Sequence, residues 1–477
     1  MNEAVFTPEQ GWLLIAGYAG AVFSLAWLFS KRFRTTKEEF LVANRELGKW
    51  EAAFSIAATW IWAPALFIAA QKAYTQGLVG LFWFTVPNIL CLVFFAYFAA
   101  LIRRKAPAGF TLSAYIRARF TRRVQALYLL ELIGLAACSF AVQLLAGGKV
   151  IAVLTGIPFY QVTIVLAGIA LSYSVLLGLK ASVVSDWAQM GFILLVGSIL
   201  IPWCIQKAGG LNTLYSGLGG LDGGFRSLFN TQGLEVLYAF GIPVTIGLIA
   251  GPFGDQSFYQ RAFAIREHYV KKAFIWGAVI FGIVPLLMSC LGFIAAGKSI
   301  TVSDPALVNL EMVKMLLPAW ALIPFVFMLM SGLISTLDSN LCAMSSLAGH
   351  DLLNTMNGDS ADNTRIMSYS RFSMIILAIF ALGIAQIPGV KILHLFLFYG
   401  VLRASTLLPT IMTLLSDKIL EKGVFYGIIV SITIGLPIFA YGNFCQLTSW
   451  RVVGAILTVS ASGIITFIAS WISDKKG

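Results

Sequence analysis

Hydrophobic and polar positions divide the chain into a succession of long apolar runs, at about 11–30, 50–72, 78–102, 124–154, 158–178, 182–206, 234–254, 269–296, 317–349, 366–387, 391–415, 424–442 and 451–473. Each is close to the ~20 residues a helix needs to cross a hydrocarbon core ~30 Å thick. In lipid a helix satisfies its own backbone groups and leaves no edge, so the pattern predicts an all-α polytopic membrane protein of thirteen transmembrane helices and no sheet. The connections are short. Two are external, a Gly-rich one around Gly217 to Gly224 and another around Thr301 to Pro305, and neither has the length of a domain.

Composition agrees with this reading and narrows it. Of 477 residues, 59% are hydrophobic and 11% charged, with a mean hydropathy of +0.86. A soluble domain carries about 25% charged residues. These values exclude a disordered chain, a disulfide-stapled secreted module and an enzyme with a dense polar cleft. The six cysteines stand apart within apolar stretches, where free thiols pack as small hydrophobes. The polar start, MNEAVFTPEQ, lacks the basic region of a cleavable signal, and the apolar run after it is long enough to span.

The net charge of +12 raises the question of nucleic acid, but the placement of the charges answers it. Lys31, Arg32, Arg34 and Lys37 follow the first run, and Arg103, Arg104, Lys105, Arg117, Arg119, Arg122 and Arg123 follow the third. Arg45, Lys49, Lys180, Arg261, Arg266, Lys271, Lys272, Arg365, Arg371, Lys418, Lys422, Lys475 and Lys476 fall in loops on the same face. The positive-inside rule makes that face cytoplasmic, with the N-terminus outside and the C-terminus inside. An inner or plasma membrane is the expected location, no nucleic-acid partner is needed, and a monomer is the expected unit.

Polar and helix-breaking residues inside the runs carry the functional signal. The second run reads FSIAATWIWAPALFIAAQ, with Thr59 and Pro64 near its centre. Pro64 cannot donate an amide hydrogen and crowds the preceding turn, freeing carbonyls around Ala57 to Trp60, which can bind a cation. The seventh run is interrupted likewise by Gly241, Pro243, Gly251 and Pro252, five runs later. Two halves of five helices each must be inverted relative to one another, an arrangement typical of secondary transporters; two ordinary proline kinks would give the same spacing. The ninth run, MSGLISTLDSNLCAMSSLAGHD, sets Ser335, Thr336, Asp338 and Ser339 within little more than one turn. Sodium is a hard cation and favours such oxygens, as calcium and magnesium do. Bonding back to carbonyls one turn earlier would explain the hydroxyls but not a carboxylate in hydrocarbon. Asp186 is a further acid, either functional or a cap near a water-facing end. The stretch Gly292 to Ser299, GFIAAGKS, matches a phosphate-binding loop only as a string, since no strand precedes it.

With these residues the chain resembles the sodium/solute symporter family. The serine motif of the ninth run matches through Ser335 and Thr336, with Ser345, Ser346 and Asp351 downstream. GLKASVVSDWAQ, ending at Gln189, is similar to a family segment with Ser185 in place of its threonine, and DQSFYQRAFA at Asp255 to Ala264 resembles most the urea-type branch. The resemblance implies a leucine-transporter-type core of inverted repeats at 50–206 and 234–415. One extra helix would lie within 1–49, an external linker at 207–233, and two helices within 416–477. It further implies a sodium ion on the carbonyls of Ala57, Trp60 and Gly332 and the hydroxyls of Ser335 and Thr336. Asp186, Asp338 and Ser339, with those hydroxyls, would hold a second sodium or a proton. Asp338 is a departure, because serine is common there in the family. Solute contacts would fall on Thr59, Trp83, Ser139, Gln143, Tyr399 and Arg403. Arg403, the only arginine read as deep in a run, either clamps an anionic solute, neutralises Asp338 or Asp186, or contacts carbonyls.

The function expected is sodium-coupled import of a small polar organic solute by alternating access, a carboxylated one if Arg403 clamps an anionic group. Proton coupling, or a neutral solute such as urea, is the alternative. A channel would need a continuous polar pore or a ring of charge. An intramembrane enzyme would need a nucleophile and base, and His394 alone has the depth without an evident partner.

Overall fold

The computed structural model describes residues 5–30, 36–357 and 362–475; Lys31, Arg32, Arg34 and Lys476 of the basic loops lie outside them. Among the described residues the chain is helical, and its one β-type feature is an isolated bridge between Leu47 and Ile265. The main helices are α1 (Pro8–Ser30), α2 (Lys49–Trp60), α3 (Ala63–Lys105), α4 (Arg122–Thr155), α5 (Phe159–Lys207), α6 (Thr231–Ala250), α7 (Gln256–Ala264) and α8 (Val270–Gly297). They continue with α9 (Leu322–Ser346), α10 (Asn363–Ala385), α11 (Ile392–Leu415), α12 (Glu421–Phe444) and α13 (Thr448–Asp474). Ten helices among the described residues are long and apolar enough to cross a bilayer, which makes the chain a multi-pass membrane protein.

Two of those helices are too long for one crossing. At 1.5 Å per residue, α3 with 43 residues and α5 with 49 would extend roughly 65 and 74 Å if straight. Each contains a break, at Gln76–Gly77 in α3 and at Gly178 in α5. Both glycines have positive φ, which a side chain disfavours, and a neighbouring segment also approaches too closely for one. A Cβ on Gly77 would lie 2.4 Å from the Leu218 carbonyl oxygen, and one on Gly178 would lie 2.5 Å from that of Phe40. The Gly-rich linker thus has a structural use. It folds against the α3 break, where Leu221 donates to the Tyr74 carbonyl (2.9 Å) and Val79 to that of Phe225 (3.2 Å). Gly292, within the phosphate-loop string, serves close packing, since a Cβ there would meet the Ala70 carbonyl oxygen at 2.2 Å.

The expected kink at Pro64 is corrected by the structure. Helix α2 stops at Trp60, residues 61–62 are not helical, and Pro64 occupies the first turn of α3. A missing amide hydrogen costs little there, because the first turn has no carbonyl to receive it. Pro64 restarts a helix that has already ended. The seventh run is interrupted at Gly251 to Asp255, between α6 and α7. Cys445 is likewise exposed in a turn, outside the core assigned to the cysteines.

Helix α9 is buried without interruption from Met328 to Ser346, as befits an element at the centre of a bundle, whereas α10 and α13 turn Phe372, Ile379, Phe380, Ile464 and Phe467 outward. The basic loops gather at one end. Arg45 donates to the carbonyls of Ala108, Gly109 and Phe263, Lys105 pairs with Asp417, and Lys418 pairs with Asp474. Val5 and Phe6 instead donate to the Leu154 carbonyl, at the far end of α4. Replacing Gly178 by alanine should destabilise the fold by about 1–3 kcal/mol, the usual penalty for a strained backbone region. A thermal unfolding midpoint in detergent indistinguishable from wild type would contradict the role given to that break.

Candidate functional site

The break between α2 and α3 leaves several carbonyls without helical partners in the interior, and α9 runs beside it. Ser335 donates to the Ala58 carbonyl (2.8 Å), while Thr336 lies within reach of the carbonyls of Thr59 (3.4 Å), Ile61 (3.3 Å) and Gly332 (3.2 Å). The Ala57 carbonyl accepts from the Ile61 amide, closing the end of α2. On the far side of the break, the Ala63 amide donates to Gln143 Oε1 (2.7 Å) of α4. Thr59 turns toward α9, with its hydroxyl 3.0 Å from that of Ser339.

Below this cradle lies a buried charged network. Asp186 and Arg261 are fully buried and form an ion pair at 2.8 Å. The same Arg261 nitrogen donates to Ser339 (2.8 Å), its Nε to Ser55 (2.9 Å), and its other terminal nitrogen to the Ser257 carbonyl (3.2 Å). Ser55 also donates to Asp186 (2.6 Å). Asp338 accepts from Tyr173 and from Ser182 (2.9 Å), and Ser339 reaches it at 3.3 Å. Asp186, Asp338 and Ser339 therefore share one network, joined through Arg261. Asp186 is no water-facing cap, and Arg261 is no loop residue: a helix seats it in the interior at 0% exposure, so Arg403 is not the only deep arginine.

The remaining residues surround Trp62, on the other side of the break. Its ring packs against Phe396 (4.7 Å) and edge-on to Tyr399 (5.3 Å). The Arg403 guanidinium stacks on Tyr399 (4.1 Å) and approaches Trp62 (5.7 Å). Its acid is Asp255, at 3.2 Å, which corrects the expectation that Arg403 neutralises Asp338 or Asp186. Asp255 also caps α7 by accepting from the Ser257 amide. Around this group several buried donors have no hydrogen-bond partner: Nε and Nη1 of Arg403, Nε1 of Trp62 and Nε2 of Gln143. Buried donors are rarely left unpaired, so these suit a ligand that brings acceptors. Ser139 accepts from Asn340 (3.1 Å) nearby on α4 and α9. Trp83 sits apart, its ring against the Gly241 backbone, and Thr59 belongs to the α9 network instead of the Trp62 group.

Sequence reading missed Arg261, Asp255, Ser55, Tyr173, Ser182 and Trp62. Tyr173 was recoverable, since it stands between Ser172 and Ser174 in an otherwise apolar run. Arg261 was not, because its partner lies 75 residues earlier. A cavity of about 790 Å³ opens between α3, α4, α11 and α13; Lys149, paired with Asp304, lines it together with Lys391, His394 and Arg451.

Known proteins share this architecture. A sodium-coupled sialic acid symporter superposes with a TM-score of 0.80 over 97% of each chain at 16% identity, a match that speaks to fold alone. In sequence, a urea-proton symporter of Oryza sativa subsp. japonica is 24% identical, aligned over 92% of this chain and 66% of its own length. A urea active transporter of Saccharomyces cerevisiae is 23% identical over 84% of this chain and 60% of its own, so the chain spans two thirds or less of those relatives. The sodium/pantothenate symporter of Haemophilus influenzae is 26% identical over 96% of this chain and 95% of its own. Residues 40–431 match the profile of the sodium:solute symporter family, and the chain belongs to that family.

Proposed function

We propose that the protein is a sodium-coupled importer of a small, acceptor-rich polar solute, working by alternating access of two inverted five-helix repeats at 50–206 and 234–415. The observation that carries this reading is the meeting of Ser335 and Thr336 with the carbonyls at the α2–α3 break. Hydroxyl and carbonyl oxygens suit a hard monovalent cation, and both come from elements that would belong to opposite repeats. Residues 1–49 would then supply an extra helix, 207–233 the external linker and 416–477 the last two helices, thirteen crossings in all if the breaks in α3 and α5 each divide two spans. The end rich in basic loops would be cytoplasmic.

In this reading the sodium ion binds oxygens of Ser335, Thr336 and Gly332 with carbonyls between Ala57 and Ile61. The solute binds against Trp62, Gln143, Ser139, Tyr399 and Arg403, and the unpaired donors there favour a carboxylate or carbonyl-rich molecule. Sodium drives uptake only if it binds the outward-facing, solute-competent state better than the inward-facing one.

A second reading gives the coupling role to a proton on Asp338. Its supporting observation is that hydroxyls of Tyr173, Ser182 and Ser339 surround that carboxyl, whereas the neighbouring Asp186 has the guanidinium of Arg261. The relatives divide in the same way, one described as a urea-proton symporter and another as a sodium/pantothenate symporter.

Thermal stabilisation of the purified protein against urea, pantothenate and other monocarboxylates, sugar acids and amino acids, in sodium and in potassium at equal ionic strength, distinguishes these readings. A solute at 100 times its Kd should stabilise by about 2.7 kcal/mol, in sodium only. Equal stabilisation in both salts would overturn sodium coupling. For the charged network, Arg261→Met should cost about 3–5 kcal/mol by leaving Asp186 buried and unpaired, and adding Asp186→Asn should recover most of it. Equal loss in the single and double variants would mean that the pair is not energetically coupled.

A further inference from the structure

Outside the site described above, Glu131 is a carboxyl in the first third of α4, 5% exposed, with apolar neighbours along the chain in LLELIG. No ion pair among the described residues reaches it. Its partners are two hydroxyls of α11: Ser405 lies 2.9 Å from Oε2, and Thr406 lies 2.8 Å from Oε1. An ionised carboxylate at such a place in a membrane helix is costly without a cation.

Counting hydrogens sharpens the point. Ser405 has one hydroxyl hydrogen but two acceptors in reach, Glu131 Oε2 and the Leu402 carbonyl at 2.8 Å. If Glu131 is ionised, one of those contacts has no hydrogen. If it is a carboxylic acid, its own O–H donates to Ser405, Ser405 donates to Leu402, and Thr406 donates to the other carboxyl oxygen. Three hydrogens then serve the three contacts shorter than 3.0 Å, only the longer approach of Thr406 to the Arg403 carbonyl at 3.5 Å goes without one, and no charge is buried.

The charged and titratable groups on the surrounding elements are placed as follows. From α11, Arg403 and Tyr399 are engaged with Asp255 and with each other, and on α4 itself Tyr128 meets Thr410 at 3.0 Å. From α9 and the turn after it, Asp338 is held by Tyr173 and Ser182, and His350 pairs with Asp351. Arg119, in the short helix before α4, pairs with Asp417 beside Tyr115 and Arg117; Glu421 of α12 accepts from Thr121 beside Lys422 and Tyr426. Arg371 of α10 donates to the Val175 carbonyl, on a helix that also carries Arg365 and Tyr369.

We propose that Glu131 is a proton-binding site, a carboxylic acid that ties α4 to α11 through Ser405 and Thr406. The step is the addition of one proton to one carboxylate oxygen, and its reversal when the contact opens to water. Its functional meaning rests on the transport reading above. There α4 and α11 belong to opposite repeats, and Ser405 and Thr406 follow Arg403 within a turn on the helix proposed to touch solute. The proton would hold the two repeats together at this contact, and its release would free α11 to move with the solute.

Infrared difference spectra of the purified full-length protein at neutral pH test the site without any solute. Wild type minus Glu131→Gln should show a carboxylic-acid carbonyl band that shifts in D2O, and Thr406→Val, which keeps the acid but removes one donor, should move that band without abolishing it. A carboxylate stretching pair in place of the acid band would overturn the proposal, as would a band unmoved by Thr406→Val. Should Glu131→Gln fail to fold, the shift produced by Thr406→Val and by Ser405→Ala decides it alone. Because the band belongs to the resting protein, failure of the transport reading would leave it in place.

Discussion

Between Trp60 and Ala63 the backbone stops being helical in a region where water cannot take up its carbonyls, and the helices around it are arranged to meet that loss. Each unsatisfied backbone group in hydrocarbon costs several kcal/mol, so an interrupted helix persists only where other groups replace its missing hydrogen bonds. Here α9 brings Ser335 and Thr336 to the carbonyls on one side, and α4 brings Gln143 to the Ala63 amide on the other. The continuous burial of α9 follows from this duty, as does the polar run that would be out of place in a lipid-facing helix. A set of oxygens held open in this way is also what the proposed sodium site requires, so the device that stabilises the break is the device that would bind the ion.

Charge in the interior is handled in two distinct ways. Asp186 with Arg261, and Asp255 with Arg403, are acids given a guanidinium, so each pair buries little net charge. Asp338 and Glu131 are acids given hydroxyls. The first kind fixes geometry, because removing either partner strands a charge. The second kind has no fixed countercharge, and both of the proton readings offered here fall on it. The two arginines also mark different regions, one beneath the proposed ion cradle and one beside the unpaired donors around Trp62.

The membrane class and the apolar spans were legible in the sequence because twenty-residue runs admit few other interpretations. Ser335, Thr336 and Asp338 were legible as well, since polar groups crowded into one turn of an apolar helix need a reason. The exact point of interruption was not. Pro64 suggested a kink within a helix, whereas the backbone breaks before it and uses the proline to begin again. Arg261 looked like one more basic loop residue because neighbouring sequence contains no hint of Asp186, and Arg403 was offered the wrong acids because Asp255 lies outside the apolar runs. Glu131 was open to the rule that singled out Asp186, a lone carboxylate among leucines, and was passed over. Thr59 and Trp83 were grouped with the solute residues on the strength of family position, which says which helix a residue occupies but not which neighbour its side chain meets.

The proposal that one set of oxygens both supports the break and binds the coupling ion is most directly tested by equilibrium binding of radioactive sodium to the purified protein, wild type against a Ser335→Ala, Thr336→Ala variant whose unfolding remains cooperative. Saturable binding in wild type, weakened about tenfold or more in the variant, a loss of about 1.4 kcal/mol, is the expected result. Equal sodium affinity in the two proteins would contradict it and leave the hydroxyls with a purely structural task.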